Sequence, residues 1–150
     1  MYTNIDTNHA LQMLKQLFKT FPYGSIHPGL LRGIEIIMKE CIFQFGATHW
    51  LQLSGTAMGT PPAPMYATLY FAIHEAIVLP QFPQLLFYKR YIDDALGIWI
   101  PKFDLIEDAA DFTQLQMMFD TYGKLCWEFE ALSTSTHFLD INIHITGTQI

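Results

Sequence analysis

Charged residues, basic residues and cysteines are all scarce in this sequence of 150 residues, and each scarcity excludes a class of protein. Only 15% of the residues are charged, well below the usual quarter or so. Eight Lys and Arg residues against fourteen Asp and Glu residues give a net charge of −6. Composition alone therefore argues against a free-standing nucleic-acid binder, which normally carries a basic face. Cys41 and Cys126 are too few for a disulfide framework and are not spaced as zinc ligands.

Long apolar runs are missing as well. No apolar stretch approaches the roughly 18 residues that span a bilayer, because His74 and Glu75 interrupt the richest one, residues 65–79. The first residues lack the basic segment followed by an apolar one that marks a secretory signal. We therefore expect an intracellular protein that has no membrane partner.

The sequence is nevertheless rich in residues that build a hydrophobic core. Hydrophobic residues make up 51% of it and aromatic residues 15%, which excludes a disordered chain. The length suits one compact domain, and no internal repeat, low-complexity tract or linker divides it, so we treat residues 1–150 as a single domain. The apolar surplus predicts surfaces that pack against something outside this chain.

Hydrophobic periodicity predicts helices that alternate with antiparallel strand pairs. Asp6 or Thr7 is expected to cap the first helix and Thr60 the third, and Gly123 is expected to end the fourth. The predicted elements, in chain order, are a β-like segment 1–5, a helix with apolar positions from residue 10 to residue 21, a connector 22–28, a helix 30–40, strands 42–45 and 48–53, a glycine-containing loop 54–60, a helix 62–79, strands 85–92 and 95–100, a helix 108–122, and strands 124–131 and 137–145. This order predicts an α+β fold in which helices pack on one face of an antiparallel sheet.

Asp93 and Asp94 are the most informative pair, because they are adjacent acids in an otherwise apolar hairpin. Burying a carboxylate without a partner is costly or forces the group to take up a proton. Acids near turns are common, so one interpretation is a solvated hairpin tip. The other interpretation is a site for a hard cation, since paired carboxylates with water and phosphate oxygens suit Mg²⁺.

The residues around this pair carry a resemblance to a known family. The sequence Tyr91-Ile92-Asp93-Asp94 resembles the tyrosine-x-aspartate-aspartate motif of reverse transcriptases. Residues 52–64 and 67–70 are similar to the template- and nucleotide-positioning block of these enzymes, in the form seen in Penelope-like retroelements. Further segments resemble other blocks of that family in the same order, namely residues 1–5, 123–129 and 138–141. The resemblance therefore extends over nearly the whole chain.

The resemblance implies the palm domain of an RNA-directed DNA polymerase, a nucleotidyltransferase that adds deoxynucleotides to a primer 3′ end with two Mg²⁺ ions. It makes Asp93 and Asp94 the catalytic, metal-binding acids and places Tyr91 beside the primer terminus. The other residues that it assigns to substrate binding are Gln52, Gly55, Met58, Gly59, Thr60 and Lys124. Glycine permits close backbone approach to a base pair or phosphate, and the N–H groups of the helix after Thr60 favour a phosphate in the same place.

The chain departs from the family pattern at its start. The family's first catalytic aspartate lies just upstream of the segment that matches residues 2–5, a position that precedes Met1. We interpret Asp6 as a helix cap and not as a replacement for that aspartate. We therefore expect a fragment of a longer protein that lacks the fingers and thumb regions and is inactive alone. A further departure is Thr68, where the family often has asparagine.

The expected partners follow from the same resemblance. They are an RNA or DNA template with its primer, deoxynucleoside triphosphates, and the missing fingers and thumb. A nuclear location is expected if the retroelement is active.

Other interpretations stay open. A degenerate or domesticated palm would act as a non-catalytic interaction module for nucleic acid or protein, and an unrelated α+β binding domain would carry the acid pair by accident. Lys124 is more often a solvated residue after a helix end than a cation beside the triphosphate. His137, Asp140 and His144 are a weak metal candidate, because in one strand the side chains of His137 and Asp140 face opposite sides. Phe43, Phe45 and Trp50 are read as core residues or cross-strand pairs in preference to base-stacking platforms.

Overall fold

Within residues 2–20, 28–56 and 58–146, which the computed structural model describes, four helices alternate with three antiparallel strand pairs. The helices are α1 (Thr7–Thr20), α2 (Pro28–Lys39), α3 (Ala63–Val78) and α4 (Leu105–Asp120), and the strands are β1 (Ile42–Phe45), β2 (Thr48–Leu51), β3 (Leu85–Tyr91), β4 (Asp94–Trp99), β5 (Ser135–Phe138) and β6 (Ile141–His144). Short 3-10 turns, Tyr2–Asn4 and Leu79–Gln81, precede α1 and follow α3. The predicted α+β class is confirmed.

The described strands form three separate hairpins, in which β1 pairs with β2, β3 with β4, and β5 with β6. They differ in this respect from the predicted single sheet. The prediction of one strand over residues 137–145 is also wrong. The chain turns back at Leu139 and Asp140, and Leu139 takes the left-handed conformation with φ +53°.

The strand predicted over residues 124–131 is not found in the structure. The segment keeps the expected alternation, since Leu125 is buried and Trp127 half-buried while Glu128 is exposed. The Trp127 backbone N–H donates to the carboxylate of Asp120 at 2.7 Å, which holds the segment against the end of α4. Alternation reports which side chains face the core, whereas a strand also needs a neighbouring strand to bond with. None of the described strands pairs with this segment.

The start of the chain is helical and not β-like. Residues Tyr2–Asn4 form a 3-10 turn, and the Tyr2 carbonyl accepts a hydrogen bond from the Thr56 backbone N–H at 2.7 Å. Asp6 then caps α1 as predicted, since its side chain accepts from the backbone N–H groups of Asn8 and His9, both at 3.0 Å.

The start of α3 differs from its prediction. Pro62, and not Thr60, is the N-cap residue, and no side chain accepts a hydrogen bond there. A proline in the first turn is well tolerated, because the N–H that it lacks has no partner in a helix. The predicted helix position Phe21 and the connector residues 22–27 lie outside the described residues.

Helix α3 lies at the centre of the core, between α1 and α4. Because it is covered on several sides, its sequence is apolar on most of its faces. The buried hydrophobic residues of these three helices are Ala10, Leu11, Leu14, Ala63, Tyr66, Ala67, Tyr70, Phe71, Val78, Leu115 and Phe119, and Glu75 and Asp108 are buried with them. Among the described residues, no helix combines the length and the apolarity needed to cross a membrane.

Two histidines belong to this core. His74 Nε2 donates to the Met118 carbonyl at 2.6 Å, and its ring stacks on Tyr122 with centroids 4.4 Å apart. Burial lowers the pKa of His74 and raises that of Tyr122 to about 12. His9 Nδ1 shares a hydrogen bond of 2.7 Å with the hydroxyl of Tyr70.

All four residues of each strand in the β1–β2 hairpin are exposed. Phe43 and Trp50 face each other in register as a cross-strand pair, but both side chains are more than half exposed, so they are not core residues. Phe45 is 77% exposed beside them. The apolar surplus in the composition therefore lies partly on the surface, as predicted.

Candidate functional site

The predicted acid pair lies at the apex of the β3–β4 hairpin, but the turn falls one residue earlier than predicted, and Asp94 is the first residue of β4. Tyr91 and Asp94 are the last paired residues, so Ile92 and Asp93 form a two-residue turn between them. Ile92 has φ +55°, a sign of φ that the two-residue hairpin turns of primed type need at their first central position. For a β-branched residue this conformation is an outlier and costs on the order of 1–3 kcal/mol. The apex is thus a strained turn that the rest of the fold must hold in place.

Both acids of the apex line a cleft. Asp93 and Asp94, each exposed, form one wall, and residues 125–130 form the other, around a volume of about 410 Å³. Glu128 and Glu130 belong to the second wall. The cleft is therefore acidic at the apex, which suits a cation better than an unaccompanied anion.

The glycine loop packs against the opening turn of the chain. Gly55 is buried with φ +77°, and a Cβ there would lie 2.9 Å from the Thr3 carbonyl oxygen. The lack of a side chain at Gly55 therefore serves this backbone contact. Gly59, with φ +91°, has nothing within 4 Å of its Cβ position and is open to an incoming group.

Of the remaining residues predicted to bind substrate, Gln52, Met58 and Thr60 lie in or next to the loop 54–60, and Tyr91 ends β3. Gln52 Nε2 donates to the Ser54 carbonyl at 2.9 Å, which is a contact to the backbone of this loop. Met58 is 73% and Tyr91 60% exposed. Thr60 accepts the Ala63 N–H through its backbone carbonyl at 3.0 Å.

Lys124 forms an exposed ion pair with Asp6, the cap of α1. Its Nζ lies 3.5 Å from Asp6 Oδ2, and its side chain is 68% exposed. The backbone N–H of His9, together with this cation, lowers the pKa of Asp6. Lys124 directly precedes residues 125–130, the wall of the cleft that faces Asp93.

The sequence reasoning missed two residues that hold the apex. Arg90 was not singled out in the sequence, and Glu75 only as one of two residues that interrupt an apolar stretch. In the structure they form a nearly buried ion pair, with Arg90 Nε 2.6 Å from Glu75 Oε1. The sequence did contain a signal for this pair, since Glu75 lies inside the apolar helix α3 and Arg90 inside the largely apolar strand β3. Charged residues are rarely buried without a partner, so an acid and a base in two apolar elements indicate a possible ion pair.

The carboxylates present fit part of a magnesium site. Mg²⁺ usually takes one or two protein carboxylates and completes its shell with water and phosphate oxygens, and the apex offers two carboxylates. Within residues 2–20, 28–56 and 58–146, however, no group of three or more His, Cys, Asp or Glu side chains is placed to hold a metal ion. His137 and Asp140 accordingly form no metal cluster. Asp93 and Asp94 are the residues that would hold Mg²⁺.

Comparisons with protein-family models, with curated proteins and with solved structures find no match for this chain.

Proposed function

We propose that this chain is the palm domain of an RNA-directed DNA polymerase of the Penelope-like retroelement type. In this proposal Asp93 and Asp94 hold the Mg²⁺ ions that stabilise the attacking and leaving oxygens of the reaction. Tyr91 and the glycine loop would contact the primer terminus and the incoming deoxynucleotide. The third carboxylate of the two-metal mechanism would come from the position upstream of residue 2 that the resemblance indicates.

The observation that supports this proposal most is the placement of the acid pair. Both acids are exposed and face a cleft of about 410 Å³, in which water and phosphate oxygens would complete the shell of a bound Mg²⁺. Lys124, which contacts Asp6, directly precedes the wall of the cleft that faces Asp93.

Primer extension by the full-length protein that carries this sequence tests the proposal. We expect Asp93→Ala to lower the extension rate by at least about 100-fold, since even outer partners of metal ligands cost about 10–100-fold when they are lost. Asp140→Asn is the matched control, because Asp140 is another exposed aspartate in a hairpin turn. It should leave the rate unchanged.

Two results would count against the assignment. Extension that persists in the Asp93→Ala variant would remove Asp93 from the mechanism. Binding of a primer–template without any extension by the full-length protein would favour the non-catalytic module instead. The 150-residue chain tested alone should show no extension.

A further inference from the structure

We propose that Arg90 is a positioning residue for the acidic apex, because its guanidinium, anchored on Glu75, clamps the strained backbone turn that presents Asp93 and Asp94. This inference rests on the proposed function for its consequence in catalysis. Its structural part concerns only how the hairpin apex is held.

The clamp begins with a bidentate ion pair between a helix and a strand. Arg90 Nε and Nη2 donate to Glu75 Oε1 and Oε2 at 2.6 and 2.9 Å. The two side chains are only 5% and 11% exposed. A planar fork of this kind fixes orientation as well as distance, so the guanidinium has one position relative to α3.

The same guanidinium then reaches the backbone of the turn. Arg90 Nη1 donates to the Ile92 carbonyl at 2.7 Å, and Nη2 donates to the Thr68 carbonyl at 3.1 Å. Ile92 is the residue with φ +55°. The hydrogen bond to its carbonyl therefore stabilises the one residue of the apex whose conformation is unfavourable by itself.

Neighbouring side chains make further contacts with both members of the ion pair. The Tyr88 hydroxyl donates to Glu75 Oε1 at 2.6 Å, and the Arg90 guanidinium lies over the Phe71 ring, 5.2 Å from its centroid. The free-energy cost of removing two charges from water often equals their mutual attraction, so a buried ion pair by itself adds little to stability. Here the Arg90–Glu75 pair connects α3 to the turn that carries the acids, so its role is to fix the position of that turn.

The test compares two substitutions on neighbouring positions of β3. Arg90→Lys keeps the charge but has no fork that could reach Glu75, Ile92 and Thr68 together. Lys89→Gln is the control, because it removes a cation next to the apex from a side chain that is exposed. The readouts on the 150-residue chain are the three-bond HN–Hα coupling of Ile92, which reports φ, and the affinity for Mn²⁺, measured by relaxation of the Asp93 and Asp94 amides.

We expect Arg90→Lys to change the HN–Hα coupling of Ile92 and to weaken Mn²⁺ binding about 10-fold or more. Lys89→Gln should leave that coupling and the amide signals of Asp93 and Asp94 unchanged and should weaken Mn²⁺ binding less than about threefold. An Ile92 coupling that is the same in Arg90→Lys as in the wild type would overturn the inference.

A double variant separates positioning from folding. Loss of Arg90 alone leaves a buried carboxylate, which is strongly destabilising, so Glu75→Gln is combined with Arg90→Met. The glutamine still accepts from Tyr88, and the core contains no unpaired charge. We expect this variant to fold and to show an altered Ile92 coupling; a folded double variant with the wild-type coupling would refute the clamp.

The two proposals fail separately. If the wild-type chain shows the Ile92 coupling of a positive φ and the variants lose it, the clamp stands even when Mn²⁺ does not bind at the apex. Absence of Mn²⁺ binding to the apex of the full-length protein counts against the polymerase assignment alone.

Discussion

Gly123 provides the sharpest test of how the core is packed. It follows α4 with φ +65°, and a Cβ at this position would overlap the Tyr70 hydroxyl oxygen and lie 3.2 Å from His9 Nδ1. Tyr70 is fully buried, and its hydroxyl shares a hydrogen bond with that same His9 nitrogen. We therefore expect Gly123→Ala to be strongly destabilising.

The magnitude follows from two separate costs. A non-glycine residue in the left-handed region costs about 1–2 kcal/mol. Displacing the Tyr70 hydroxyl breaks a buried hydrogen bond whose net contribution is about 1 kcal/mol. The free energy of unfolding should thus fall by about 2–3 kcal/mol, which for a chain of this length lowers Tm by roughly 5–10 °C.

Urea denaturation followed by tryptophan fluorescence measures this change, with Gly46→Ala as the matched control. Gly46 has φ +62° but nothing within 4 Å of its Cβ position, so only the conformational cost applies and the loss should be at most about 1–2 kcal/mol. Tyr70→Phe removes the obstructing oxygen, and in that background Gly123→Ala should cost less than it does in the wild type. Equal losses for Gly123→Ala and Gly46→Ala, or full additivity with Tyr70→Phe, would show that the clash is not there.

Two further predictions concern Asp6, the cap of α1, and the half-buried His74. Asp6→Ala should lower the free energy of unfolding by about 1 kcal/mol through loss of the cap, and Asp6→Asn, which caps equally well, by only a few tenths. The ion pair of Asp6 with Lys124 is too exposed to contribute much. Equal losses for the two variants in urea denaturation would contradict this and assign the effect to the ion pair. Because burial lowers the pKa of His74 from its usual 6.5, the unfolded chain takes up a proton below about pH 6.5 that the folded chain resists, so stability should fall on acidification. His74→Gln should reduce this fall between pH 7.5 and pH 5.5, whereas His49→Gln, on the exposed hairpin, should leave it as it is; an unchanged pH dependence in His74→Gln would contradict the assignment.

Some local signals could be read correctly from the sequence, although the cap predicted at Thr60 and the single strand predicted over residues 137–145 were wrong. The cap at Asp6 was predicted because a side chain and the backbone N–H groups that it satisfies are two and three residues apart. The β3–β4 hairpin and its acidic apex were predicted for the same reason, since the turn lies within a few residues of both strands. Such features are decided by neighbours along the chain.

Features that depend on distant partners could not be read in this way. Glu75 and Arg90 are 15 residues apart and belong to different elements, so nothing in either segment alone reveals the pair. The segment 124–131 has the alternation of a strand but no described strand to bond with. Gly55 was expected to make room for substrate, whereas in the structure its missing side chain makes room for the backbone of Tyr2 and Thr3.

The burial of the clamp has a consequence for work at high ionic strength. In 1 M salt the Debye length is about 3 Å, so exposed contacts such as that between Arg32 and Glu35 are screened. The contact between Arg90 and Glu75 is closed to the solvent and should persist. Washing with concentrated salt to strip adhering nucleic acid should therefore leave the turn intact, and any salt sensitivity of template binding would report phosphate contacts and not a change in the geometry of the acids.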